Sequence, residues 1–358
     1  MIRIGILNYA DVRNFGDVLF PLVVKLEIKK RIPAANFTYI TPTGSSWGGM
    51  TSTRVDAVDF ESYEALILGG GEIVHRFDAM LNGIYAGFNL TSISCPTDLV
   101  FSWTHAKTPY KAWLGLGVPA RPDDVSKDIA HSSLSMNFLG VRGSHSFQRV
   151  LASGVDSRLI RRTPDLGWLF PRLLNGKRFP AHPADGMPYI AIQALGFSDP
   201  LVVANDLHRF AEEMGLRIVL LPLTRCWNDV EPLRLLQAAG SGFFLVDDAT
   251  ADIDKLAILG GAVLMIGQSM HGFIGTISQN RPAGLIAPYA EDKFGELVND
   301  SNLSHLRCPG WDGLSGLLKI LLWQPAAAFT SLRKEANRVL DKLFDEICEE
   351  ILESVQAG

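Results

Sequence analysis

The chain has 358 residues, enough at about 100–200 residues per domain for two domains with a full hydrophobic core each, which excludes a peptide-sized or unfolded protein. Lys and Arg total 33 against 38 Asp and Glu, a formal charge of −5, so the dense basic footprint of a nucleic-acid binder is missing and nucleic acid is not an expected partner. The opening residues lack a basic region followed by an apolar block and cleavage site, and Cys95, Cys226, Cys308 and Cys348 are scattered with no C-x-x-C pair, so a cytoplasmic, reducing location is expected.

Short apolar runs at 2–8, 65–68, 112–116, 138–141, 189–193, 217–221, 242–246, 262–266 and 283–286 alternate with longer segments of helical period. This alternation predicts βαβ units and parallel sheets, an α/β protein. The segment 171–188 carries four prolines and is the expected linker. The predicted organisation is therefore two Rossmann-like, doubly wound domains, 1–178 and 188–325, facing a cleft. Residues 326–358 follow as a helix whose apolar stripe, from Leu332 through Leu343 to Val355, packs back on the protein rather than forming a coiled coil.

In open parallel sheets the loops beyond the carboxyl ends of strands hold ligands, and several such loops here are unusual. Asn14-Phe15-Gly16-Asp17 follows the first run; Gly16 permits close backbone approach and Asp17 suits a helix start, so structural and functional readings both stand. Gly69-Gly70-Gly71-Glu72 follows the second, where free main-chain N–H groups could receive an anion and a tight turn is the plain alternative. It is neither a G-x-G-x-x-G fingerprint nor a Walker loop.

The run at 138–141 ends in Arg142, and Gly143-Ser144-His145-Ser146 begins a helix, a suitable clamp for phosphate or carboxylate, although a lone arginine is usually solvated. Asp165 stands in a turn after another expected strand. Asp252-Ile253-Asp254 has metal-binding spacing but is read as a helix start. Trp47, Trp103, Trp168 and Trp227 lie near these loops, where each could stack a sugar ring or fill the core.

Residues 256–277 form a 22-residue stretch without Lys, Arg, Asp or Glu, long enough to span a bilayer as a helix. Its five glycines, with Gln268, Ser269 and His271 in the middle, argue against that. The expected structure is a buried strand over 262–266, a turn over 267–269, and a helix from His271 toward Gln279. A histidine satisfied within the core is the plain alternative to a functional one.

In this order and spacing the motifs resemble the polysaccharide pyruvyl transferase family. The carrying residues are Asn14-Phe15-Gly16-Asp17 with Pro21, Gly69-Gly70-Gly71, Leu114-Gly115-Leu116-Gly117, Val141-Arg142-Gly143 with Ser146, Pro164-Asp165, Ser269-Met270-His271-Gly272 with Pro282, and Tyr289 with Lys293. Many members carry arginine where Ser269 stands, and the form seen here is similar to the branch acting on bacterial exopolysaccharide.

The resemblance implies a GT-B-like fold and transfer of the enolpyruvyl group of phosphoenolpyruvate to two hydroxyls of a sugar, forming a pyruvate ketal. The sugar would sit on a polysaccharide or its lipid-linked precursor, met at the inner face of the membrane without a transmembrane span. His271 is then expected to contact the donor and transfer a proton. Arg142, Lys293, Ser269, Met270 and Gly272 would bind the donor. Asn14, Gly16, Gly70, Gly71, Glu72 and Asp165 would line the cleft on the acceptor side, with Asp17 as the base. No metal or cofactor is required, because cationic side chains and helix N-termini can supply the charge. A nucleotide-sugar glycosyltransferase of the same architecture is the second reading, against which stands the lack of an E-x7-E pair after the His271 segment. A non-catalytic sugar-binding relative is the third; it would tolerate loss of Arg142 and His271, and both are present.

Overall fold

A computed structural model describes residues 2–47, 50–74, 96–119, 125–175, 183–288 and 293–357. The chain forms two compact units: Met1–Val12, Gly16–Leu166 and Ala336–Gly358 in the first, Arg13–Phe15 and Gly167–Glu335 in the second.

The first unit is built on strands β1 (Arg3–Leu7), β2 (Asn36–Thr41), β3 (Ser46–Trp47), β4 (Met50–Arg54), β5 (Ala65–Gly69), β6 (Tyr110–Leu116), β7 (Phe138–Arg142) and β8 (Ile160–Thr163). They lie in the order β3-β4-β2-β1-β5-β6-β7-β8, parallel throughout except for the β3/β4 pair. Strands β5 and β6 are buried at every position, which is why their sequences read as apolar runs rather than alternating ones. The exception is Lys111 in β6, whose Nζ donates to the carbonyls of Thr104 and Ala106 at 2.6 and 2.8 Å while burial pushes its pKa down.

The second unit carries β9 (Tyr189–Ile192), β10 (Arg217–Leu220), β11 (Phe244–Leu245), β12 (Leu264–Gly267), β13 (Ala283–Ile286) and β14 (Arg307–Cys308), all parallel, in the order β11-β10-β9-β12-β13-β14. Chain order reverses direction between β1 and β5 in the first sheet and between β9 and β12 in the second. Connections leaving the two strands at such a switch point diverge and open a crevice beyond their carboxyl ends. The α/β class, the parallel sheets and the doubly wound order agree with the sequence reading.

Helix ends follow local chemistry. In Pro200–Met214, Asp199 caps the start by accepting from Leu201 N and Val202 N, Pro200 supplies the preset first residue, and Gly215 closes the end at φ 64°. The helix Ala326–Ala357 buries Phe329, Ala336, Leu340, Leu343, Phe344, Ile347 and Ile351 along one stripe. Within the first unit its acidic face is held by Arg31 to Asp345 at 2.5 Å, by Tyr110 Oη to Glu350 at 2.9 Å, and by Arg161 to Glu346.

Several expectations are corrected. The run at 242–246 yields only the two-residue edge strand β11, and β2, β3, β4 and β14 lie outside the expected runs, because their segments are short or interrupted by polar residues. Pro171 lies inside a 3-10 segment, Leu166–Leu174, while 176–182 fall outside the described residues. The uncharged stretch 256–277 begins as the end of a helix, Asp252–Gly261, before β12 and a second helix, Met270–Ile277. Among the described residues no helix is long and apolar enough to cross a membrane.

Candidate functional site

In the second unit the switch point places the residues after β9 beside those after β12. Gly267 ends β12, and a Cβ there would fall 2.7 Å from the Gln193 carbonyl oxygen, so glycine is what lets the two strand ends close up. Ser269 caps the following helix, its Oγ accepting from Gly272 N at 3.1 Å, a bond worth about 1 kcal/mol. Met270 and His271 form the first turn and are buried. The imidazole stands 6.4 Å from the Phe170 ring, which in turn meets Phe15 edge-on at 6.1 Å.

The segment 13–15 is bound into this unit by main-chain bonds. Phe15 N donates to Leu223 O at 2.9 Å, Arg225 N to Arg13 O at 3.1 Å, and Asn14 bridges Thr224. Asn14, expected beside Gly16 and Asp17, therefore belongs with the His271 unit, and the change of unit falls between Phe15 and Gly16. The loop that pairs with it is fixed by Asp229, a fully buried carboxylate whose Oδ2 accepts from Leu223 N, Thr224 N and Gln193 Nε2 at 2.7, 3.0 and 3.1 Å. Burial pushes this carboxyl up to about 6, against the pull of its three N–H donors and of Lys255.

In the first unit the corresponding crevice lies beyond β1 and β5. Asn8, just past β1, donates from Nδ2 to Gly69 O at 2.7 Å and so ties the two strand ends together. Gly70 and Gly71 both take positive φ, 69° and 93°. A Cβ on Gly71 would fall 2.8 Å from Asp17 Oδ1, and one on Gly70 would enter the Phe20 ring. The Gly70 N–H, expected to be open to an anion, instead donates to Leu114 O at 2.8 Å, and Gly71 O accepts from Gly117 N at 2.8 Å. The glycine loop is thus a close-packed joint first.

Arg142 at the end of β7 points back into this joint. A Cβ on Gly117 would lie 3.0 Å from its Nε and 3.2 Å from Glu72 Cα. Arg142 Nη1 is ion-paired with Asp165 Oδ2 at 2.7 Å, with both side chains less than a tenth exposed. Asp165 thus anchors the arginine. Ser146 is buried and accepts from Val118 N at 3.0 Å, which closes the turn after β6.

Asp17, Gly71, Glu72, Arg142 and Asp165 are thus brought together in one unit, and Asn14, Ser269, Met270, His271 and Gly272 in the other. Lys293 opens the helix Lys293–Asp300, its Nζ 5.5 Å from the Phe294 ring centroid, while Tyr289 lies outside the described residues. Of the tryptophans, Trp47, Trp103 and Trp168 are core; Trp227, on the loop that holds Asp229, is 44% exposed. Gln193 and Asp229 were not singled out from the sequence. The signal available was position, since Gln193 is the polar residue that closes the apolar run at 189–193, much as Arg142 follows the run at 138–141.

No curated protein sequence matches the chain. Among solved structures it is similar to UDP-GlcNAc 2-epimerase from Neisseria meningitidis bound to UDP-GlcNAc, with TM-score 0.59 and 8% identity over 100% of both chains. UDP-N-acetylglucosamine 2-epimerase from Rickettsia bellii gives TM-score 0.56 and 12% identity over 100% of this chain and 96% of that one. The S. aureus MnaA–UDP co-structure gives 0.59 and 8% over 90% and 89%. At such identities the likeness shows the fold alone, a GT-B-like pair of Rossmann-like sheets. A family model described as polysaccharide pyruvyl transferase matches residues 14–288, from the Asn14 loop past the His271 helix. The chain belongs to the polysaccharide pyruvyl transferase family.

Proposed function

We propose that the protein moves the enolpyruvyl group of phosphoenolpyruvate onto two hydroxyls of one sugar in a polysaccharide or its lipid-linked precursor. The vinyl carbon gains a proton and becomes a methyl group. The neighbouring carbon bonds to both sugar oxygens, its bond to the phosphate oxygen breaks, and inorganic phosphate leaves. Of the two hydroxyl protons, one is balanced by the new methyl hydrogen and the other by the phosphate.

The observation that carries this reading is the family match over 14–288, which contains every candidate residue but Lys293. The geometry supports it through His271, buried on the first turn after β12 beside Phe170, where an imidazole can hold a proton away from bulk water. Arg142, oriented by Asp165, supplies a guanidinium for the donor's phosphate or carboxylate. Lys293 would add a point charge for the same donor, and Asp17 at the glycine joint would take a sugar-hydroxyl proton. These side chains can supply the charge that the reaction requires without a metal. The acceptor would be met in the cytoplasm, at the inner face of the membrane where it is lipid-linked.

The test is phosphate release that depends on both phosphoenolpyruvate and a sugar acceptor. His271→Ala should lower the rate by at least about 100-fold, the usual contribution of a positioned acid–base group. Full turnover in that variant would remove His271 from the mechanism.

A further inference from the structure

Three loops converge on the His271 helix in the second unit, and one buried pair joins them. Asp229 Oδ2 gathers the N–H groups of Leu223 and Thr224, which lie in the loop after β10. That loop pairs through Leu223 O, Thr224 and Arg225 N with residues 13–15. Gln193, after β9, donates to the same Oδ2 from Nε2 and with Oε1 accepts Gln268 N at 2.9 Å. Gln268 immediately precedes the capping Ser269, and its own Oε1 accepts Leu195 N at 2.7 Å. Side chains complete the contact: a Cβ on Gly272 would fall 2.6 Å from Leu223 Cδ1, and one on Gly275 would fall 3.6 Å from Phe15 Cε1.

We infer that Asp229 and Gln193 are positioning residues, which set the placement of His271 and of the Asn14–Phe15 segment relative to each other. A fully buried carboxylate is expensive to install, and one aimed at loop amides and a glutamine relay fixes both loops at once. Asp229 Oδ1 has no hydrogen-bond partner among the described residues, so the bonding is concentrated on the one oxygen that faces the loop and the relay. A plain packing role would be served as well by an apolar residue, which could hold neither the loop amides nor Gln193.

The inference rests on the proposed role of His271, and the test separates the two. Asp229→Ala and Gln193→Met should lower kcat for phosphate release by about 10- to 100-fold, the cost of displacing a reacting group by a fraction of an ångström to an ångström. KM for phosphoenolpyruvate should stay within about threefold, since Arg142 and Lys293, the cations proposed for the donor's anionic groups, make no part of the relay. Asp229→Asn keeps an oxygen for the three donors and should regain at least about tenfold over the alanine variant. Independently of turnover, hydrogen exchange at the Gln268 and Gly272 amides should accelerate in Asp229→Ala and Gln193→Met but not in Asp229→Asn. Unchanged exchange at those amides, or a wild-type kcat in folded Gln193→Met, would overturn the positioning role. Faster exchange in a protein whose wild type releases no phosphate would overturn the proposed reaction and leave the relay standing.

Discussion

Arg142 Nη1 and Asp165 Oδ2 lie 2.7 Å apart, both side chains nearly out of solvent, at the ends of neighbouring strands of the first sheet. The arginine's charge is thus compensated within the fold. Removing one partner of such a pair leaves a buried charge uncompensated, so Asp165→Ala should cost about 3 kcal/mol or more in denaturant unfolding, and Arg142→Ala a comparable amount. The double variant should cost clearly less than the sum of the two. Strict additivity would show that the pair is not coupled.

Asp229 has a native pKa of about 6 against an ordinary value of 3.8, because burial disfavours its charge. Between about pH 4 and 6 the native carboxyl holds a proton that the unfolded chain has released, so this group's contribution to stability falls as pH rises through that window. Asp229→Asn does not titrate. Its stability relative to the wild type should therefore rise by about 2–3 kcal/mol from pH 4 to pH 8, measured by urea midpoints at each pH. Asp252, half-buried and likewise raised to about 6 by desolvation, acts in the same direction in both proteins and cancels in the difference. A difference that stays constant with pH would contradict the ionised, buried state of Asp229.

Ser269 caps the His271 helix, its hydroxyl accepting from Gly272 N. Ser269→Ala should lower stability by about 1 kcal/mol, while Ser269→Asp, which preserves the cap, should not. With phosphoenolpyruvate as donor the aspartate should nonetheless raise KM, since it sets a negative charge beside a trianionic ligand. Equal KM values for the two variants would place the donor away from Ser269.

Gly70 and Gly71 are restricted in different ways. Gly70→Ala puts a methyl group into the Phe20 ring at a positive φ and should destabilise the first unit by more than about 2 kcal/mol. Gly71→Ala is strained by its own positive φ as well and meets Asp17 Oδ1 instead of a ring, so beyond a loss of stability the proposed role of Asp17 predicts loss of sugar-acceptor turnover as that carboxylate is displaced. Turnover of the folded fraction distinguishes the two: it should fall in Gly71→Ala and be retained in Gly70→Ala.

Much of this organisation is legible in the sequence where the physical cause is local. Strands buried on both faces announce themselves as apolar runs, as at Ala65–Gly69, and the polar, glycine-containing turn before His271 marks where a strand gives way to a helix. Partnerships across the sheet are not legible in this way. Arg142 and Asp165 both stand out in the sequence, but their pairing depends on β7 and β8 being adjacent. Gln193 and Asp229 are 36 residues apart and meet only because β9, β10 and β12 are neighbours. The separation of Asn14 from Asp17, three residues away, is likewise set by the tertiary bonds of Phe15 and Thr224 rather than by the motif that contains them both.

The most direct measurement follows the donor carbon itself. Phosphoenolpyruvate labelled with carbon-13 at C2 is incubated with the protein and a lipid-linked or free oligosaccharide acceptor, and the product is observed by NMR. Ketal transfer predicts that the label appears as a quaternary carbon bonded to two sugar oxygens beside a methyl group, in step with phosphate release, and that His271→Ala abolishes both. Label remaining in phosphoenolpyruvate while a nucleotide-sugar is consumed would contradict the pyruvyl transfer and assign the fold to glycosyl chemistry instead.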